Sequence, residues 1–321
     1  MSTSTTTSYQ TSILTGQATA FGLSLPFTTQ NIIGNDSWEH QCGVADLLSV
    51  AKHAEKAGFH YLSTPDHIMV PRDLEPIVGS IWMDTVATLG FLAGQTESIR
   101  LLSHVYVPAY RHPLSTAKAF ATLDHLSGGR IILGVGTGHF VDEFNTLQVD
   151  YSLRGQLTDE AIDVIRVAFQ DEYPNIKTEH WDIHDHAIAP RPVQSHLPIW
   201  VGGGATPALR RAAQRGDGWL PMLPSFEQWQ QQVSALKVLR QEYHPGKAFD
   251  IGAWQSVFIG ENWGFEDDTL CGGVSEVTDG LRAYADGGAN HIHYRIRSRS
   301  LAELLEQMDC LSEEIMPQIN N

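Results

Sequence analysis

Apolar runs of strand length alternate with segments of helical period along most of this chain. AFGLSLP (20–26) is an apolar run closed by Pro26, which cannot continue a hydrogen-bonded ladder. VADLLSVAKHAEKAG (44–58) carries apolar residues three and four apart and stops at Gly58, the pattern of an amphipathic helix. The alternation then repeats. It predicts strands at 59–64, 99–107, 130–136, 197–203, 218–222, 249–260 and 290–296. It predicts helices at 84–96, 113–129, around 154–170, and at 206–216, 226–242, 275–288 and 300–315. In the fifth unit Thr206 is placed to cap its helix and Pro207 to open it. Strict alternation predicts a parallel sheet covered by helices. Eight such units in 321 residues predict one closed (β/α)8 TIM barrel over 20–321, not an open doubly wound sheet. No linker or internal repeat divides it. The longest irregular stretches are 65–82, 139–153, 173–196 and 261–274. All but 173–196 follow a strand directly, which places them as insertions on the C-terminal face, where barrels keep their chemistry. Residues 173–196 lead instead from a helix into the fifth strand.

Charge removes whole classes of partner. With 37 acidic against 21 basic residues the formal net charge is −16, which repels nucleic acid and anionic membrane surfaces. An anionic small molecule would need a locally basic mouth. No run approaches the roughly 18 apolar residues of a membrane helix. Residues 1–19 are rich in Ser and Thr, without the basic and apolar regions of a secretory signal, and read as a disordered tail. Cys42, Cys271 and Cys310 are odd in number and far apart, as expected of buried free thiols in a reducing compartment. The expectation is a cytoplasmic protein.

Several stretches invite chemistry. Gly134-Val135-Gly136-Thr137-Gly138 looks like a phosphate loop, but His139 stands where a dinucleotide fingerprint needs glycine, and no helix opens directly after it. It is read either as a strand end stripped of side chains, so that a flat ring can lie close, or as a tight turn that needs glycine. VGGGAT (201–206) joins the fifth strand to its helix and offers backbone N–H groups and a helix dipole to an anion, or is a plain turn. Arg210 and Arg211 follow, either helping the anion or lying on a solvated helix face. Asp66 can accept from a ring N–H or orient His67, and His67 can act as acid or base; the alternative is a loop cap. His291 and His293 share one face of the last strand, and Trp82 and Trp254 are candidate pocket walls or core residues. HWDIHDH (180–186) suggests a metal, but its spacing matches no common zinc pattern, and a solvated loop without metal is expected.

Four blocks carry a family resemblance: AEKAGFHYLSTPDH (54–67), YRHPLSTAKAFATLDHLSGGRIILGVGTG (110–138), FNTLQVDYSLRGQLTDEAIDVIR (144–166) and PRPVQSHLPIWVGGGATPALRRAAQRGDGWLP (190–221). Through them the chain resembles the bacterial luciferase-like superfamily, and most of all its coenzyme F420-dependent oxidoreductases. The last hundred residues match mainly in the spacing of their elements. The resemblance implies an active-site Asp66-His67 pair and a cofactor phosphate on Gly202, Gly203, Gly204, Ala205 and Thr206. It implies a non-proline cis peptide near His104-Val105 behind the cofactor ring, although His104 replaces the usual small residue. It places Thr137, Gly138 and His139 along the cofactor. His139 stands near the point where some deazaflavin dehydrogenases use a Glu, with Glu143 four residues on, and is read as a proton carrier or a packing residue. Arg154 and Glu160 resemble an RG…DE pattern, read as a structural pair or as Arg154 near the cofactor tail. The implied activity is hydride transfer between coenzyme F420 and a small organic substrate. An alternative is a two-component monooxygenase using reduced FMN, fed by a separate reductase. A second is a non-catalytic, flavin-binding barrel. A homodimer is the expected assembly.

Overall fold

In the computed structural model, residues 19–29, 35–222, 224–265 and 268–320 are described. The inner wall is β1 Ala20–Ser24, β2 Tyr61–Thr64, β3 Arg100–Ser103, β4 Ile131–Val135, β5 Ile199–Gly202, β6 Gly218–Leu220, β7 Asp250–Ile259 and β8 His291–Ile296. Every pairing in this wall is parallel, each strand to its successor, and β8 returns to β1 with His291 beside Ala20, so the sheet closes. The principal helices are α1 Val44–Lys56, α2 Thr85–Ala93, α3 Pro113–Ser127, α4 Arg154–Gln170, α5 Thr206–Arg215, α6 Phe226–Tyr243, α7 Val274–Gly287 and α8 Leu301–Cys310. This is the expected (β/α)8 barrel.

Two apolar layers hold it. Tyr61, Leu102, Ile132, Trp200 and Leu220 fill the barrel, with Trp254 packed on them. A larger cluster lies between the strands and the helix ring. Where a polar group must be buried, it is satisfied. Arg130 is 8% exposed and donates to the carbonyls of Ala93, Thr96, Ile99 and Ser127, closing the ends of α2 and α3 under the strands that follow them.

The departures from the sequence reading are local. Ala205, not Thr206, is the N-cap of α5, and Pro207 falls inside the first turn, where a missing N–H costs nothing. The 173–196 stretch contains a small antiparallel hairpin, Ile176–Lys177 with Asp182–Ile183. It also holds a cis Ala189-Pro190 bond. Leu270–Gly272 adds a short strand beside β7. The final helix continues past Cys310 through a π turn, Leu311–Ile315, into Met316–Asn320. The three cysteines are free but only partly buried, against expectation. Burial, with Glu314 beside it, pushes the Cys310 thiol up to about 11. The predicted tail lies outside the described residues except for Thr19, which exchanges two hydrogen bonds with Asn320. No described helix is long and apolar enough to cross a membrane.

Candidate active site

The C-terminal ends of β3, β4 and β5 meet around one side chain. The His104-Val105 peptide that follows β3 is cis, where the resemblance placed it. Val105 enters between the strand ends. A Cβ on Gly136 would lie 2.4 Å from its Cγ2, and one on Gly202 2.5 Å from its Cγ1. A Cβ on Gly134 would meet the Ser103 carbonyl oxygen. The glycines of the GVGTG stretch are therefore stripped to admit the neighbouring strand's own backbone and Val105, rather than primarily a ring. Gly138 needs its lack of a side chain for another reason: its φ is +70°, and Phe144 and Tyr110 close over it.

Asp66 and His67 leave β2 in different directions. Asp66 is 4% exposed, and its carboxylate accepts from Val107 N (2.9 Å) and from both ends of the Arg111 guanidinium (2.7 and 2.9 Å). Arg111 in turn lies over the Tyr106 ring. Asp66 thus ties the end of β2 to the loop after β3, and it does not orient His67 as expected. That task falls to Glu143, on the short helix Val141–Thr146. Glu143 Oε2 is 3.0 Å from His67 Nδ1 and accepts from Tyr110 Oη at 2.6 Å, while Oε1 accepts from the amides of Ile68 and Met69. Burial alone would raise this carboxyl, but these donors, His67 first, outweigh it and hold Glu143 below the ordinary glutamate value. The His67 ring stacks on Phe140 at 4.7 Å and meets Trp82 edge-on at 4.5 Å. His139 stands 5.4 Å from it at the rim. Burial of its inner edge and the nearby His67 lower the His139 pKa.

Inside the barrel a column of neutral polar groups continues inward. His104 Nε2 approaches the Leu220 carbonyl oxygen, 3.3 Å away, and its ring lies 5.3 Å from that of His293. His293 pairs through Nε2 with Ser63 Oγ at 3.0 Å. A carbonyl only accepts, so His104 Nε2 carries the proton and Nδ1 is left as an acceptor. Burial pushes His104 down to about 4 and His293 well below its ordinary value. His291 is equally buried but serves the opposite end, beside Asp250. Ser63, His104, Trp82 and Trp254 line a cavity of about 180 Å³ at the barrel mouth, with apolar walls from Leu23 and Ile296. Trp254 Nε1 is buried with no partner among the described residues.

His104 carries a pH signature. Its folded pKa, about 4, lies below the 6.5 of an ordinary histidine, so between these values the unfolded chain binds a proton that the folded chain refuses. Stability from this group is whole above pH 6.5 and is lost on acidification, at up to ~1.4 kcal/mol per pH unit. His104→Gln should flatten the wild-type loss between pH 6.5 and 5 by roughly 2 kcal/mol in urea titrations. Identical slopes for the two proteins would refute the assignment.

At the head of α5, the Gly203 carbonyl accepts from Trp219 Nε1 (2.7 Å) and the Gly204 carbonyl from Gln232 Nε2 (3.2 Å). With these oxygens held back and the first N–H groups of the helix free of helical partners, the 202–206 turn is built to receive an anion. Arg211 does not assist: it is buried and committed to Asp159 and the Gly155 carbonyl, while Arg210 is exposed. Arg154 and Glu160 do not pair. Arg154 lies over Tyr151, and Glu160 binds His180. Among the described residues no group of three or more His, Cys, Asp or Glu side chains is placed to hold a metal, and the 180–186 segment forms local ion pairs instead.

A strand-end glycine cluster, an anion-receiving turn and a carboxylate-held histidine on one face of a (β/α)8 barrel define a candidate cofactor-dependent site. The chain belongs to the luciferase-like monooxygenase family, whose model matches residues 19–263. It is 28% identical over 192 residues to the F420-dependent glucose-6-phosphate dehydrogenase of Amycolatopsis mediterranei, a match covering 59% of this chain and 56% of that protein. Two solved structures share the fold. The coenzyme F420-dependent tetrahydromethanopterin reductase of Methanopyrus kandleri aligns with a TM-score of 0.74 at 16% identity, covering 94% of this chain and 99% of its own. The oxygenating component of 3,6-diketocamphane monooxygenase from Pseudomonas putida, in complex with FMN, aligns with a TM-score of 0.75 at 14% identity, covering 94% and 98%.

Proposed function

We propose that this protein is an oxidoreductase that transfers hydride between coenzyme F420 and a small organic substrate. The observation that carries the reading is His67, held by Glu143 between Trp82 and Phe140. It stands on the barrel face where the α5 turn offers an anion its backbone N–H groups. A proton carrier and a phosphate seat on one face suit a redox reaction in which a hydride and a proton move separately. The F420-dependent dehydrogenase among the sequence relatives favours the deazaflavin; the likeness to the FMN-bound monooxygenase is one of fold.

The residues fit such a cofactor. Gly202, Gly203, Gly204, Ala205 and Thr206 would hold its phosphate. Val105, Thr137 and Gly138 would lie along its ring, with His104 beneath. The deazaflavin, when bound, would supply or take the hydride. His67 would move the proton at the substrate oxygen, Glu143 would fix the ring's tautomer and steady its charge, and His139 would shape the rim. Asp66 would hold the frame. The small cavity with its tryptophan walls suits a substrate of modest size.

Titration of the protein with F420, FMN and reduced FMN, followed by fluorescence quenching, tests the proposal. Tighter binding of F420, then bleaching of its absorbance in a screen of small alcohols and carbonyl compounds, is the expected result. Preference for reduced FMN with substrate-dependent oxygen consumption would replace it with the monooxygenase reading.

Ala205→Asp tests the phosphate seat by itself. The N-cap backbone is extended, φ −71° and ψ 151°, and suits a capping Asp, which gains about 1 kcal/mol of stability over Ala. The same carboxylate occupies the proposed anion site. A raised melting temperature with cofactor affinity lowered about 10–100-fold is expected. Unchanged affinity would move the phosphate elsewhere.

A further inference from the structure

At the opposite end of the barrel, the last turns of α6 and α7 and the start of β7 enclose a cavity of about 330 Å³. One side of it is cationic, formed by Lys237, Arg240, His244 and Lys247, and no Asp or Glu is among its lining residues. In a chain with 37 acidic and 21 basic residues, such a gathering needs a cause. The neighbouring basic groups are neutralised: Arg166 by Asp217, Arg211 by Asp159 and Arg215 by Asp163. The cavity's cations are not. Lys237 Nζ reaches only the Gly287 carbonyl, and the Arg240 guanidinium reaches the carbonyls of Ala213, Gly216 and Ala248. Arg240 Nε is buried with no partner among the described residues. A cation in the last turn suits the helix dipole of α6, which accounts for Arg240 but not for Lys247, beyond the helix end. The facing side is apolar, with Leu236, Phe249 and Ala285. Uncompensated positive charge beside a dry wall matches a ligand with an anionic head and a hydrocarbon body.

We propose that this cavity is a second binding site, for an amphipathic organic anion. Its carboxylate or phosphate head would meet Lys237, Arg240 and Lys247, and its apolar body would lie against Phe249 and Ala285. The site is remote from the barrel mouth and does not depend on the redox assignment.

Calorimetric titration of the full chain with octanoate and octyl phosphate, and with octanol as the uncharged control, tests it. One saturable site per chain is expected for both anions, with octanol at least ten-fold weaker. Two variants probe the halves separately: Lys237→Glu with Lys247→Glu reverses the charge, and Ala285→Phe fills the apolar side. Each should weaken octanoate at least ten-fold, and a melting curve for each shows that it has folded. Absence of saturable binding, equal affinity for octanol, or wild-type affinity in both variants would overturn the proposal.

Discussion

Asp66→Asn should cost the protein about 3 kcal/mol and lower its melting temperature by at least about 5 °C, the largest stability effect expected of any single polar change near the mouth. The two side chains are nearly the same size, so packing is not the cause. The carboxylate receives three donors, two from Arg111 and one from Val107 N. An amide has one acceptor oxygen and turns its NH₂ toward a donor. Arg111 then keeps its charge half-buried without a counter-ion, the costly half of breaking a buried ion pair. Differential scanning calorimetry measures the loss. A change within 1 °C would mean that solvent already screens the pair.

His67→Asn should act on turnover instead. The variant cannot carry a proton at neutral pH, and losing a positioned acid or base lowers kcat by roughly 10²–10⁴-fold. Its cost to folding is small, because Glu143 keeps its bonds from Tyr110, Ile68 and Met69. Cofactor dissociation constants should stay within about two-fold of wild type, since the proposed phosphate seat is on another strand. Steady-state kinetics beside cofactor titration separate these quantities. Full turnover in the variant would remove His67 from the chemistry and leave His139 as the next candidate.

The barrel was legible because periodicity is a local signal. Apolar runs and helical spacing mark each element within its own dozen residues, and the predicted units fall on the observed ones to within a few residues at their ends. The hairpin at 176–183 was not legible: each of its strands has two residues, too few to show any period. At the site, residue types could be read but not partners. Asp66 and His67 are adjacent, which suggested one unit, yet a strand end turns neighbouring side chains apart. The carboxylate that holds His67 lies 76 residues away. Glu143 was visible only as an acidic residue near a position where relatives use one. Arg111, within the block YRHPLSTAKAFATLDHLSGGRIILGVGTG, gave no sign of its tie to Asp66.

Val105 carries one more consequence. Its two methyl groups touch the ends of β4 and β5 at Gly136 and Gly202, so the proposed ring seat and phosphate seat are pinned to one rigid block. A ligand spanning them meets a fixed ruler. Severing it into a ring fragment and a phosphate fragment forfeits the tether's entropy advantage, while each piece still finds its half already in register.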